Sequence, residues 1–283
     1  MTPTPVHLAG IDDCYKALGF QRTPFSILPD TSLFFPNSQH VTAYNDLRFA
    51  MQRGVMAVLI GEVGLGKTLV GRFVLRNLPD NVRVALLINP LLSYGEILAT
   101  IYRDFTGEKS PGSDSVGVVH DLLMAFALKC AERGEYLVVL VDEAQKLSAE
   151  ALEGLRLLSN LETEQRKLIS LVLIGQPELE KTLSFRAMRP LRERIGVWCR
   201  LSPLTREDSA SYIKHRMLLA RTAGNVHFSP LALKLVHHLT KGVPRRINLL
   251  CDRALLLAYA TGQDRIGWSM VRRTVDDLGP RRF

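Results

Sequence analysis

Gly61-Glu62-Val63-Gly64-Leu65-Gly66-Lys67-Thr68 is the stretch on which the reading of this chain turns. It follows a short apolar run, Val55 to Ile60, that reads as a buried strand. After it, Gly66 to Leu78 has helical spacing and stops before Pro79. A Gly-x-x-x-x-Gly-Lys-Thr pattern between a strand and a helix has a mechanical meaning. The glycines let the backbone curl so that its N–H groups converge on phosphate oxygens, and the helix N-terminus adds its positive dipole. Lys67 is placed to reach the β- and γ-phosphates of a nucleotide, and Thr68 to bind Mg²⁺ through its hydroxyl. The bland alternative, a glycine turn with a chance lysine, does not account for the strand before it and the helix after it.

The natural partner of this loop is Leu137-Val138-Val139-Leu140-Val141-Asp142-Glu143. In a parallel sheet the C-terminal end of a strand faces the ligand crevice, so Asp142 is expected in the Mg²⁺ shell. Glu143 is expected to polarise an attacking water as general base, which favours ATP hydrolysis over simple nucleotide binding. An apolar strand ending in two acids is weak by itself and gains its force from the loop upstream. The next strand, Leu171 to Ile174, ends on Gly175-Gln176. Gln176 either orients the water or contacts the γ-phosphate, or it is a loop-capping amide before Pro177. Arginines then cluster at Arg186, Arg189, Arg192, Arg194 and Arg200. They form either a solvated basic face or the source of an arginine finger, a guanidinium inserted into a neighbouring subunit's site. Gly242-Val243-Pro244-Arg245-Arg246 opens a late helix, where a cation is mildly unfavourable against the helix dipole. That cost points to a role for Arg245 or Arg246 at the nucleotide.

Working outward, the periodicity predicts a loose leader over residues 1–14 and an α/β domain over 15–202. The predicted strands are Val55 to Ile60, Val82 to Ile88, Tyr136 to Val141, Leu168 to Ile174 and Ile195 to Leu201. Helices are predicted at His40 to Arg53, Tyr94 to Phe105, Val118 to Arg133 and Ala149 to Leu161, with a mobile loop at 106–117 rich in Gly, Ser and Pro. Strands apolar throughout and alternating with helices argue for a parallel sheet covered on both faces. From 203 to 283 the pattern changes to helices alone, with Ser229-Pro230 a good helix start, and no strand candidate remains.

Composition narrows the function classes. The 283 residues are 47% hydrophobic, enough for a core, while the longest apolar runs are strand-sized and far from the ~20 residues of a membrane span. The N-terminus lacks the basic and apolar pattern of a signal peptide, so a soluble cytoplasmic protein is expected. Four scattered cysteines support neither a zinc site nor a disulfide framework, and His237-His238 point apart on a helix. The net charge of +8 permits nucleic acid or acidic lipid as a partner without demanding one.

Taken in order, these residues resemble the AAA+ superfamily and, within it, the ExeA/GspA family of secretion ATPases. The further marks are Tyr15, Gly19-Phe20, Pro24-Phe25-Ser26 and Pro29-Asp30, then Val141-Asp142-Glu143-Ala144-Gln145 and Gly175-Gln176-Pro177-Glu178-Leu179. Leu191-Arg192-Glu193-Arg194-Ile195 and Gly242-Val243-Pro244-Arg245-Arg246-Ile247-Asn248 complete them. The resemblance implies a P-loop NTPase sheet followed by a small helical lid, with ATP and Mg²⁺ as cofactors. It implies Gln176 at the sensor-1 position, Arg194 as the finger (Arg192 being the alternative), Arg245 as sensor 2 by its Gly-x-x-Arg spacing, and adenine contact near Pro24 and Phe25. It also implies a homo-oligomer with ATP and protein partners in a pilus or type II secretion-like envelope machine. Relatives in that family continue into a transmembrane helix and a periplasmic part, whereas this chain stops at Phe283. The expectation is therefore attachment at the inner membrane through a partner. A DNA-binding transposition regulator similar to TnsC and TniB is the alternative, with no recognition helix or zinc finger to support it. A metabolic nucleotide kinase fits neither the acid pair nor the lid.

Overall fold

The protein's structure is a computed structural model that describes residues 10–88, 90–110, 116–221 and 223–278. The chain divides into two compact units. One comprises residues 36–63 and 67–202, and the other residues up to 35, 64–66 and from 203 onward.

The first unit is built on five parallel strands: β1 (Met56–Ile60), β2 (Val82–Leu87), β3 (Tyr136–Val141), β4 (Ile169–Gly175) and β5 (Ile195–Arg200). Their order is β2-β3-β4-β1-β5. The central strands β1 and β4 are buried at every position, which requires cover on both faces and explains their largely apolar sequence; the buried Ser170 of β4 donates to Val55 O at 3.0 Å. The edge strands differ. β2 and β5 alternate buried and accessible residues, and Arg83 and Trp198 lie open. The uniformly apolar pattern thus holds at the centre of the sheet and fades at its rims, where each strand has one neighbour. Helix α3 (Lys67–Arg76) approaches the sheet closely at Gly71, where a Cβ would come within 2.7 Å of Ile174 Cδ1.

The register fixes what stands together. Ile60 pairs with Gly175 and with Arg200, and Val141 pairs with Leu173 and with Leu87. The ends of β1, β4 and β3 are therefore adjacent, and β4 sits between the strand leading to the phosphate loop and the strand leading to Asp142-Glu143.

The second unit packs α9 (Arg206–Ala220), α10 (Pro230–Thr240), α11 (Pro244–Thr261) and α12 (Trp268–Leu278) around one apolar core. A two-residue parallel pair joins His227–Phe228 to Arg265–Ile266, a strand contact too short for periodicity to reveal. The opening segment also belongs here. Residues 15–35, expected with the sheet, group with the helices, because Tyr15, Phe20 and Phe25 are buried in the helical core. The buried Arg216 fastens them by donating to Pro24 O at 2.7 Å and Ser26 O at 2.9 Å. Helix formation starts within the stretch read as a leader, at α1 (Ile11–Ala17); residues 1–9 lie outside the described residues. Part of the 106–117 loop, residues 111–115, lies outside them as well.

Candidate nucleotide site

Lys67 opens α3 and is 7% exposed, an unusual depth for an ammonium group. Its Nζ donates to Gly61 O at 2.7 Å and Glu62 O at 3.0 Å, so the charge is solvated by the loop itself. Burial holds its pKa below the ordinary lysine value, and the carboxylates of Glu143, Asp142, Glu62 and Glu178 oppose that shift. Beside it, Thr68 Oγ1 donates to Asp142 Oδ2 at 2.8 Å. A hydroxyl and one carboxylate in this relation suit a hard divalent cation that keeps most of its water and takes its remaining ligands from phosphate. No group of three or more His, Cys, Asp or Glu residues clusters as a metal site among the described residues.

Asp142 accepts the Glu143 N–H on Oδ1 at 2.9 Å while Oδ2 faces Thr68. Glu143 sits at φ 55° and ψ 35°, in the left-handed region that a non-glycine residue enters at a cost of about 1–3 kcal/mol. That backbone turn points the carboxylate toward the end of β4. There Glu143 Oε2 accepts from Gln145 Nε2 at 2.8 Å and from Gln176 Nε2 at 3.3 Å, with Lys146 Nζ at 3.6 Å. Burial acts to raise the Glu143 pKa. The two amide donors and the charges of Lys146 and Lys67 outweigh it, so the carboxyl lies below its usual value and is ionised at neutral pH. The group is a carboxylate fixed in direction by amides, suited to orient and polarise a water. Gln176 thus meets the acid pair through its side chain, and it occupies the N-cap position of α7 (Pro177–Ser184) without a side-chain capping bond.

In the helical unit, Gly64 adopts φ +84° and its O accepts from the Arg245 N–H at 3.2 Å. A Cβ on Gly64 would lie 2.8 Å from Arg245 Cβ, so the glycine is required both by its conformation and by the start of α11. Arg245 and Arg246 are exposed at that helix start. Pro24 and Phe25 are held differently from an open stacking surface: Phe25 is 1% exposed and packs edge-on against Phe228 at 6.3 Å.

The arginine cluster separates into distinct roles. Arg189 pairs with Glu193 at 2.7 Å, and Arg200 with Glu180 at 2.5 Å. Arg192 Nη1 donates to Leu183 O at 3.2 Å and Ser184 O at 3.1 Å, closing the end of α7. Arg186 and Arg194 are exposed. Arg194 precedes β5, whose first residue pairs with Met56 at the start of β1, and it lines a cavity of about 210 Å³ with Met56, Lys167 and Ile169. The phosphate loop leaves the other end of β1. At about 3.3 Å per residue, five residues of strand put roughly 16 Å between these ends.

Sequence reasoning did not assign a role to Gln145. The signal lay in its place two residues after Glu143, but only the left-handed turn brings it back onto that carboxylate.

Comparison with known proteins agrees with this geometry. Residues 50–183 match the AAA domain family. Over 251 residues the chain is 40% identical to General secretion pathway protein A of Aeromonas hydrophila, covering 88% of this chain and 45% of that protein. The chain thus spans about half the length of that relative. Among solved structures, the ORC2 protein of Aeropyrum pernix superposes with a TM-score of 0.68 at 20% identity, over 92% of this chain and 72% of that one. The RuvB Holliday junction branch migration motor of Thermotoga maritima gives 0.60 at 21% identity, over 87% and 70%. These two likenesses concern the fold. Sheet order, phosphate loop and the match over residues 50–183 together give the chain a P-loop NTPase fold of the AAA type.

Proposed function

We propose that the chain hydrolyses ATP with Mg²⁺ to assemble or power an envelope machine of the secretion or pilus kind. The observation that carries the chemistry is the ionised Glu143, aimed by a left-handed turn and two amides, beside Thr68 and Asp142. The 40% identity to General secretion pathway protein A supports the setting. The sequence also resembles the pilus-biogenesis ATPase MshM, the finer form of the same reading. Residues 61–68 would hold the phosphates, with Lys67 on their charge, and Thr68 and Asp142 would hold the Mg²⁺ shell. Glu143 acts as base, Gln176 as sensor, Arg245 as the lid's sensor and Arg194 as a finger for a second copy in an ATP-dependent homo-oligomer. Adenine contact at Pro24 and Phe25 would fall to their backbone, because both side chains are buried.

No helix among the described residues is long and apolar enough to cross a membrane. The setting in this reading is the cytoplasm, with the protein held at the inner membrane by a partner. The net charge of +8 favours one competing reading, a DNA-bound regulator. Turnover, host phenotype and DNA binding together test the proposal. Purified chain should hydrolyse ATP only with Mg²⁺. Deletion of the gene should abolish secretion or surface pili, restored by the wild-type gene and not by Glu143→Gln. Binding to double-stranded DNA should be weak and vanish as salt is raised. Tight ATP-dependent filaments on DNA, with secretion and piliation intact in the deletion strain, would overturn the envelope assignment.

A further inference from the structure

The amide of Gln145 makes two hydrogen bonds to two different strands' ends, and neither is accounted for by phosphate or cation binding. Its Nε2 donates to Glu143 Oε2 at 2.8 Å, and its Oε1 accepts from the Gln176 N–H at 3.0 Å. Gln176 in turn donates its own Nε2 to the same Glu143 oxygen at 3.3 Å. The result is a closed ring of three residues: Glu143 after β3, Gln145 on the turn beyond it, and Gln176 after β4. The amide orientation is dictated by its partners, since the reversed amide would set an oxygen against the carboxylate and an NH₂ against an N–H. A Cβ on Gly175 would meet Leu179 Cδ2 at 2.7 Å and Gln145 Oε1 at 3.2 Å, so the glycine leaves room for both.

We propose that Gln145 is a positioning residue for hydrolysis: it holds the Glu143 carboxylate at the end of β4 and ties its direction to the backbone of Gln176. The proposal rests on Glu143 being the base. A carboxylate on a left-handed turn has rotamers that face away from β4, and one amide joined to a neighbouring strand selects the rotamer that faces it. Gln145 links the acid strand and the sensor strand through side-chain and main-chain atoms at once, so a shift at either residue is transmitted to the other.

Two substitutions separate positioning from a purely structural tie. Gln145→Ala removes both bonds. Gln145→Glu keeps the acceptor for the Gln176 N–H but sets a second carboxylate against Glu143. If Gln145 only holds the turn to β4, the glutamate variant is the milder one. If it positions the base, the glutamate variant is the more severe. The expected order of kcat is wild type, then Gln145→Ala lower by roughly 10-fold, then Gln145→Glu lower by roughly 100-fold, from the strength of a hydrogen bond to a charged group. Affinity for a fluorescent ATP analogue should stay within about two-fold of wild type in both, because neither bond touches residues 61–68. In a Glu143→Gln background, either change should leave the residual turnover unaltered, since neighbours acting through one group are not additive. Thermal unfolding of each variant monitors folding. Gln145→Glu turning over as fast as Gln145→Ala or faster, both being folded, overturns the proposal and leaves Glu143 as base. A folded wild type that binds ATP and never hydrolyses it overturns the hydrolase reading, and this proposal with it.

Discussion

The two ends of the central sheet hold Lys67 and Arg194 in opposite ways. Where β1, β3 and β4 finish, Lys67 and Asp142 are 7% and 8% exposed, and each of Lys67, Thr68, Asp142, Glu143 and Gln176 is held by another group of the same unit. Where the strands begin, Arg194 stands exposed beside Met56 and Ile169. The first cluster is internally satisfied and has fixed directions, as a site that acts on a bound phosphate requires. At the second end, the cation lies one strand length from its own phosphate loop. Under the proposed function these residues would serve different copies of the chain, because a guanidinium at the far end of the sheet would be of use at a phosphate only in a neighbour. Such a contact is head-to-tail, and it closes into a ring or runs on as a helix.

The largest effect expected is at the satisfied end. Lys67→Ala should abolish nucleotide binding, because it removes the ammonium that the loop carbonyls of Gly61 and Glu62 fix in place. Glu143→Gln should bind ATP normally and lose turnover by roughly 10⁴-fold, the upper range for a positioned acid or base. Calorimetric binding and phosphate release separate the two. Equal loss of binding in both variants would break the division of labour within the cluster.

Next comes the exposed end. Arg194→Ala should keep nucleotide affinity and lose turnover by roughly 10³-fold, the lower range for an arginine finger. Mixing it with Lys67→Ala should restore part of the activity, since Arg194 of the Lys67→Ala copy can serve an intact site on the other. Light scattering should show association that grows with ATP, most clearly for Glu143→Gln, because a nucleotide bound between copies favours the assembled state. A mixture that never rescues, with a monomeric ATP-bound form, would reduce Arg194 to part of a basic surface.

The satisfied end was the more legible of the two in the sequence. A loop motif between a strand and a helix is local, so residues 61–68 and the acid pair could be read directly, and the apolar strands β1 and β4 announced their burial. Long-range packing was not legible. Nothing in the spacing of Tyr15, Phe20 and Phe25 says that they enter the helical core rather than the sheet, because aromatic residues fit either. It is the buried Arg216, bonding to two carbonyls nearly two hundred residues away in sequence, that makes the assignment. The pair His227–Phe228 and Arg265–Ile266 was invisible for a related reason, since two residues carry no period. The choice between Arg192 and Arg194 was also open, because both stand in the same arginine-dense segment and only three-dimensional neighbours distinguish them.

That choice yields the smallest effect and the sharpest form of the comparison. Arg192 Nη1 donates to the carbonyls of Leu183 and Ser184 at the end of α7, where four carbonyls of any helix lack partners within it. Its guanidinium thus does for the helix end what a cap does, and a cation there also suits the helix dipole. Removing it leaves the Ser184 carbonyl to water, since Ser184 is exposed, while the carbonyl of the buried Leu183 loses a partner, so the loss is at least the net value of the bonds. Arg192→Ala should therefore cost about 1 kcal/mol of stability, a lowering of the melting temperature by roughly 2–4 °C for a chain of this size. ATP turnover should stay within about two-fold of wild type, because a helix-end contact bears on neither phosphate nor water. Arg194→Ala should show the reverse: no change in melting temperature and a collapse of turnover. Scanning calorimetry and phosphate release on the two variants give four numbers, and the crossed pattern is the expected one. If Arg192→Ala were instead to lose turnover while melting like wild type, the finger would belong to Arg192, and its bonds to α7 would describe a resting arrangement that the assembled protein gives up.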